Sequence, residues 1–141
     1  MLGTAGEYVA MADSLEQYVS CQHIHGEPFD LIIFVEGEFI KVQVKVEDKN
    51  RLRKNPSFRP TKGRLKAVSY NEGEVDIFAF VNMRDRSVAW MHIAETSLSR
   101  HTIKVESFKD YTLERALSIY FSRSQISGIS SNSSQSKLIE S

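Results

Sequence analysis

The run Phe29-Asp30-Leu31-Ile32-Ile33-Phe34-Val35 carries one polar residue near its start, and the run Phe39-Ile40-Lys41-Val42-Gln43-Val44-Lys45-Val46 carries one at every second position. Both read as β-strands. Glu36-Gly37 lies between them, a short turn with glycine where a positive φ costs nothing. If the turn has two residues, Val35 pairs with Glu38 and Asp30 falls opposite Gln43, with their Cβ atoms about 5 Å apart. Lys45, two residues further on, shares that face. An acid, an amide and an ammonium group, the groups that hold a metal and a phosphate, thus converge at one end of a hairpin. Alternating polar residues also describe a strand face open to water. Ile32 and Phe34, however, share the face of Asp30, and burying a lone carboxylate is costly unless a cation or hydrogen bonds compensate. Apolar on both faces, the two strands read as central.

Around this hairpin the pattern predicts a first helix opening at Gly3-Thr4-Ala5-Gly6-Glu7, with Thr4 as its cap and its end near Gln17. Tyr8, Val9, Ala12, Leu15 and Glu16 follow at helical spacing. A strand over 18–25 comes next, stopped by Gly26 and Pro28. Residues 47–63, polar and basic with Pro56 and Pro60, read as a long loop, and 64–70 fit a short helix or a strand. After a turn at 71–74 come strands over 75–81 and 88–94, joined by a turn over 82–87. Ile103 to Val105 suits an edge strand, and Tyr111 to Phe121 an amphipathic helix with Leu113, Ala116, Leu117 and Tyr120 on its apolar side. From Ser122 nine of the final 20 residues are serine, so 122–141 are expected to be a disordered tail behind one domain, residues 1–121. One α/β sheet flanked by helices fits this order.

Composition narrows the function. The chain has 141 residues and 41% hydrophobic content, enough for one cored domain. No apolar run reaches the roughly 18 residues of a membrane span, and the N-terminus lacks the pattern of a secretory signal. Cys21 is the only cysteine, so no intramolecular disulfide forms; it reads as a small core residue in a reducing, cytoplasmic setting. Net charge is zero, yet residues 41–66 hold ten Lys or Arg against two acids, a local charge of +8. Such a block can grip phosphates while the whole chain stays neutral; a solvated basic loop is the other reading. His23 and His25 share a face without further ligands at zinc spacing, and His92 and His101 look isolated, so all four read as non-catalytic or at most as DNA contacts. Asp76 reads as an acid at a strand start rather than a ligand, and Phe58 and Tyr70 could stack or pack.

Taken in order, Gly6-Glu7-Tyr8 on a first helix, Phe29-Asp30-Leu31-Ile32, Val42-Gln43-Val44-Lys45 and Glu74-Val75-Asp76-Ile77-Phe78-Ala79 resemble the PD-(D/E)xK nuclease superfamily over about residues 3–117. Within it the chain is most similar to small single-domain members, the intron-encoded homing endonucleases of this fold and the archaeal-type Holliday-junction resolvases. The resemblance implies a restriction-endonuclease-like core of αβββαβ type, a central mixed sheet between helices. It makes Asp30 the metal-binding aspartate, Lys45 the catalytic lysine and Glu7 the helix acid that some members add to the metal site. Gln43 stands where most members carry Glu or Asp, and Phe29 replaces the proline of the nominal motif.

The implied cofactor is Mg²⁺, with Mn²⁺ as an alternative, on oxygens of Asp30, Gln43, Glu7 and the Val44 carbonyl. The implied substrate is double-stranded or branched DNA, gripped by Lys49, Arg51, Arg53, Lys54, Arg59, Lys62 and Arg64. Cutting two strands calls for two sites, hence a homodimer or homotetramer. A sequence-specific, homing-type endonuclease leads; a junction resolvase is the variant within the class. The alternative outside it is a DNA-binding or assembly module that has lost cleavage, which Gln43 would favour. RNA ranks low, since no RNA-reading aromatic motif is present.

Overall fold

The computed structural model describes residues 2–24, 29–47, 54–60, 73–96 and 101–131, with side chains described as far as residue 124. Its centre is a five-stranded mixed sheet in the order β1-β2-β3-β5-β6, formed by β1 (Ser20–His23), β2 (Leu31–Val35), β3 (Glu38–Val46), β5 (Ile77–Asn82) and β6 (Ser87–His92). Only β3 and β5 run parallel; the other neighbours are antiparallel. Helix α1 (Leu2–Glu16) packs on β3 and β1, and α2 (Leu113–Ser131) on β6. The α/β class, with a central mixed sheet flanked by helices, is therefore as the sequence suggested. The segment 64–70, where the αβββαβ order places a further helix, lies outside the described residues, as does His25.

The hairpin turn works as its residues require. Glu36 and Gly37 have φ values of 50° and 78°, the positive pair of a type I′ turn, and Val35 pairs with Glu38. That register carries through to Leu31 opposite Val42.

Two apolar layers sandwich the sheet. One joins Leu31, Ile33, Ile40, Val42, Val44, Ile77 and Trp90 to Ala10 of α1 and to Leu113, Ala116 and Leu117 of α2. The other joins Phe78, Phe80, Ala89 and Met91 to Phe58, Ile103 and Phe108. Every residue of β5 is buried, so β5 is the strand covered on both faces. The hairpin differs from expectation here. In β3 only Ile40, Val42 and Val44 are buried, and Phe34 and Phe39 are 49% and 63% exposed. The second layer stands over β5 and β6 and leaves the hairpin's matching face partly open.

That second layer occupies part of the expected loop. Within 47–63 a short strand β4 (Ser57–Phe58) pairs with β7 (His101–Thr102), and Phe58 is fully buried against the rings of Phe80 and Phe108. The edge strand expected at 103–105 lies earlier, at β7, and a 3-10 turn follows over Val105–Asp110. Strands β5 and β6 fall within two residues of their predicted ends. Helix α2 begins at Leu113, with the Thr112 hydroxyl accepting from the Arg115 N–H, and continues through Ser131. The first part of the Ser-rich tail, Ser122 to Ser131, continues this helix, and residues 132–141 lie outside the described residues.

The inner face of α1 is not the one its large apolar residues suggested. Gly6, Ala10 and Ser14, four apart, are buried against the sheet, whereas Tyr8 and Leu15 are 60% and 57% exposed. Small residues let the helix axis approach the strands. A Cβ on Gly6 would stand 2.5 Å from Cγ1 of Val46. Thr4 lies within the helix and not at its cap, because the helix starts at Leu2. Asp13 ties α1 to β6 through Trp90, whose buried indole N–H donates to Oδ2 of Asp13 at 2.7 Å; the Gln17 amide donates to the same oxygen at 2.6 Å.

Gly6→Ala is expected to lower unfolding free energy by about 1–3 kcal/mol, the usual cost of overpacking. Urea denaturation of the two proteins measures it; an unchanged midpoint would mean that α1 can lift off β3 freely.

Candidate active site at the open end of the hairpin

The ladder between β2 and β3 stops at Leu31, and Asp30 occupies the place where it stops. The backbone of Asp30 is held from both sides. Its N–H donates to the Val42 carbonyl and its carbonyl accepts from the Ile24 N–H, both at 2.9 Å. The Val44 N–H, beyond the last paired residue of β2, turns to the Asp30 side chain and donates to Oδ2 at 3.0 Å. Gln43 Nε2 donates to the same oxygen at 2.8 Å. The facing of Asp30 and Gln43 that the turn geometry required is thus a direct hydrogen bond.

Electrostatics tie further groups to this carboxyl. Burial pushes the Asp30 pKa up; the Val44 hydrogen bond opposes this, the Glu7 charge adds to it, and Lys45 and His23 pull it back. Burial pushes the Lys45 ammonium down, with Asp30 opposing. Lys45 lies beyond Gln43 on the same face of β3, each half-buried. Burial thus shifts both groups toward their neutral forms while their mutual attraction opposes it.

Glu7 reaches the strand end from α1, and its Oε1 is hydrogen-bonded to His23 Nε2. His23 sits on β1 opposite Leu31, next to Asp30. To the reading of His23 as non-catalytic or at most a DNA contact, the structure adds a bond to the helix acid. Sequence offered no signal for that pairing, since 16 residues separate the two and neither forms a motif with the other. His92 and His101 have local partners away from Asp30. The first accepts from the Ala94 N–H through Nδ1, and the second stacks on Phe80. Asp76 is a clasp between β3 and β5, accepting the Lys41 N–H at 2.9 Å. Burial pushes the Cys21 thiol up to about 11, which leaves it a poor nucleophile near neutral pH.

Of the basic side chains assigned to DNA, Lys54 and Arg59 are exposed; Lys49, Arg51, Arg53, Lys62 and Arg64 lie outside the described residues. A residue that sequence passed over, Arg84 in the β5–β6 turn, holds both flanks of the segment 48–53. It pairs with Glu47 (Nη2 to Oε2 2.9 Å, Nε to Oε1 3.2 Å) and donates to the Lys54 carbonyl at 3.3 Å. The pairing spans 37 residues, a separation at which charge patterning gives no signal.

Among the described residues, no three His, Cys, Asp or Glu side chains are grouped to hold a metal between them. The oxygens present are one held carboxylate at Asp30, a nearby carboxylate at Glu7, the Gln43 amide and the Val44 carbonyl. This hard, carboxylate-poor set of oxygens suits a divalent cation that keeps most of its waters.

Asp30→Asn preserves the shape and an acceptor for the Val44 N–H. Because the folded pKa of Asp30 is raised, its ionisation disfavours the folded state as pH rises through that pKa. The variant is therefore expected to melt at the parent's Tm or above it at pH 7, with any advantage shrinking as pH falls. Melting curves at pH 4 to 8 check this; a large loss of Tm at pH 7 would make Asp30 a structural residue.

The PD-(D/E)XK endonuclease family profile matches residues 1–117. Among curated proteins, none matches the chain. Among solved structures, the bacterial homing endonuclease I-Ssp6803I superposes with a TM-score of 0.66 at 17% identity, covering 87% of this chain and 94% of that one. At that identity the likeness speaks for a shared fold, and the family match spans the first helix, the hairpin and β5. The chain belongs to the PD-(D/E)XK endonuclease family.

Proposed function

We propose that this protein is a divalent-metal-dependent DNA endonuclease of the homing type, hydrolysing phosphodiester bonds at a preferred sequence. The observation that carries the reading is the Asp30–Gln43 hydrogen bond at the end of the β2 ladder, with Lys45 next on the same face. The likeness in fold to I-Ssp6803I, a bacterial homing endonuclease, supports the choice within the family.

Asp30, Gln43 through Oε1, the Val44 carbonyl and Glu7 would hold Mg²⁺ or Mn²⁺. Bound there, the ion would polarise the scissile phosphate and acidify a water. Lys45, its ammonium pushed down by burial, is suited to take a proton from the attacking water or to place that water against phosphorus. In its charged form it offsets the negative charge that builds on the phosphoryl oxygens. Gln43 now presents its N–H to Asp30, so turning its amide brings Oε1 toward the site. Lys54, Arg59 and the basic residues through 64 would hold flanking phosphates, on a segment that Arg84 anchors. Cleaving both strands requires two such sites, and a symmetric homodimer or homotetramer supplies them. The cysteine usage is compatible with an intracellular setting.

A second reading, a DNA-binding module without cleavage, draws on the same amide. With Gln at position 43, one negative charge fewer is available for a cation. Supercoiled-plasmid nicking in Mg²⁺ and in Mn²⁺ separates the two. Binding without nicking, on substrates that include a branched junction and a library of duplex targets, would favour the module.

Lys45→Ala is expected to abolish nicking while leaving DNA affinity within about threefold, since that affinity rests on phosphate contacts elsewhere; retained turnover would remove Lys45 from the chemistry. Gln43→Glu is expected to retain nicking and to shift the Mg²⁺/Mn²⁺ preference, read from metal titrations of the rate; an unfolded variant would make the amide structural. DNA affinity is expected to fall steeply between about 50 and 200 mM salt, as multiple phosphate contacts require. A flat dependence in a filter-binding or anisotropy titration would count against the basic grip.

A further inference from the structure

The active-site reading leaves His23 unused. Its ring stands between two consecutive residues of α1. Nε2–H donates to Oε1 of Glu7, while Tyr8 stacks on the ring with centroids 5.9 Å apart and planes 29° from parallel. The strand that carries it is fixed to the site. His23 pairs with Leu31, and the next residue, Ile24, donates its N–H to the carbonyl of Asp30 at 2.9 Å. The Glu7 and His23 side chains are each 17% exposed, so both are largely withdrawn from solvent. Gly6, immediately before Glu7, allows the close approach of α1 to β3 that brings the acid to this depth.

From this geometry we infer that His23 is a positioning residue for the metal site: it fixes one oxygen of Glu7 and so presents the other toward Asp30. A glutamate has three side-chain torsions to order, and an acid free to point into water would lose that freedom each time an ion bound. The hydrogen bond to Oε1 orders the side chain beforehand. Glu7 lies near enough to Asp30 for its charge to push the Asp30 pKa up. The arrangement has the logic of metalloenzymes in which a ligating carboxylate is itself hydrogen-bonded, and where loss of the outer partner costs roughly 10–100-fold in metal affinity. The inference rests on the metal-dependent reading above and adds to it a residue outside the D-x(n)-Q-x-K pattern.

The test is Mn²⁺ binding to the full chain without DNA, followed by calorimetry and by the loss of the free-ion electron paramagnetic resonance signal. His23→Ala is expected to weaken Mn²⁺ binding by about 10-fold, and His23→Gln, whose amide N–H reaches a similar position, to recover most of that loss. In a Glu7→Gln background, His23→Ala is expected to add nothing, because the group it positions is no longer a carboxylate. Asp30→Asn serves as the reference and is expected to abolish binding. If Asp30→Asn abolishes binding while His23→Ala leaves it unchanged or tightens it, the positioning role falls and the metal site stands. If Asp30→Asn leaves binding intact, or the parent takes up no Mn²⁺, the metal-dependent reading falls and this inference with it. If both His23 variants lose binding equally and also melt early, the residue is structural and the inference is overturned.

Discussion

Everything at the site depends on one substitution of acceptors: the Asp30 carboxylate takes the Val44 N–H where β2 has run out of paired carbonyls. A strand end in a sheet would otherwise leave that amide to water or to a loop. Using a side-chain carboxylate there fixes its position on rigid backbone, within reach of the Gln43 amide. It also brings a charge to a half-buried spot at a cost, recorded in the raised pKa of Asp30. The Val44 hydrogen bond offsets part of that cost, and burial outweighs it.

Much of this was legible in the sequence because a two-residue turn leaves little freedom of register. Glu36-Gly37 fixed Val35 against Glu38, and a period of two then placed Asp30, Gln43 and Lys45 on one face. Long-range partners were not legible in the same way. Glu7–His23, Glu47–Arg84 and Trp90–Asp13 join residues 16, 37 and 77 positions apart, and polar side chains carry no periodic signature of such partners. The inner face of α1 was not legible for a related reason. Gly6, Ala10 and Ser14 score poorly on hydrophobicity, but tight helix–sheet packing selects for small volume. Strand β4 was hidden within a proline-bearing, basic stretch because two residues are too few to show alternation.

The two faces of the sheet divide the work. The layer formed with α1 and α2 closes one side and brings Glu7 to the site. The layer around Phe58, Phe78, Phe80 and Phe108 closes the other side over β5 and β6 and stops short of the hairpin. Gln43 and Lys45 stand at the margin between covered and open surface. There an ammonium group is desolvated enough to be perturbed and still keeps partial contact with solvent. The exposed, mutually packed rings of Phe34 and Phe39 continue that open face toward the hairpin tip.

The parallel pairing of β3 with β5 imposes one more condition on the chain. Two parallel neighbours cannot be joined by a tight hairpin; the polypeptide must leave β3, travel back along the sheet and re-enter. Most of the positively charged stretch, from Lys49 to Lys66, lies on that obligatory return path. The acid, amide and ammonium trio and the bulk of the basic stretch therefore occupy separate portions of the polypeptide. Residues exchanged or inserted along that detour would change the length and charge of the connection without altering the turn-fixed register that sets the carboxylate, amide and ammonium trio.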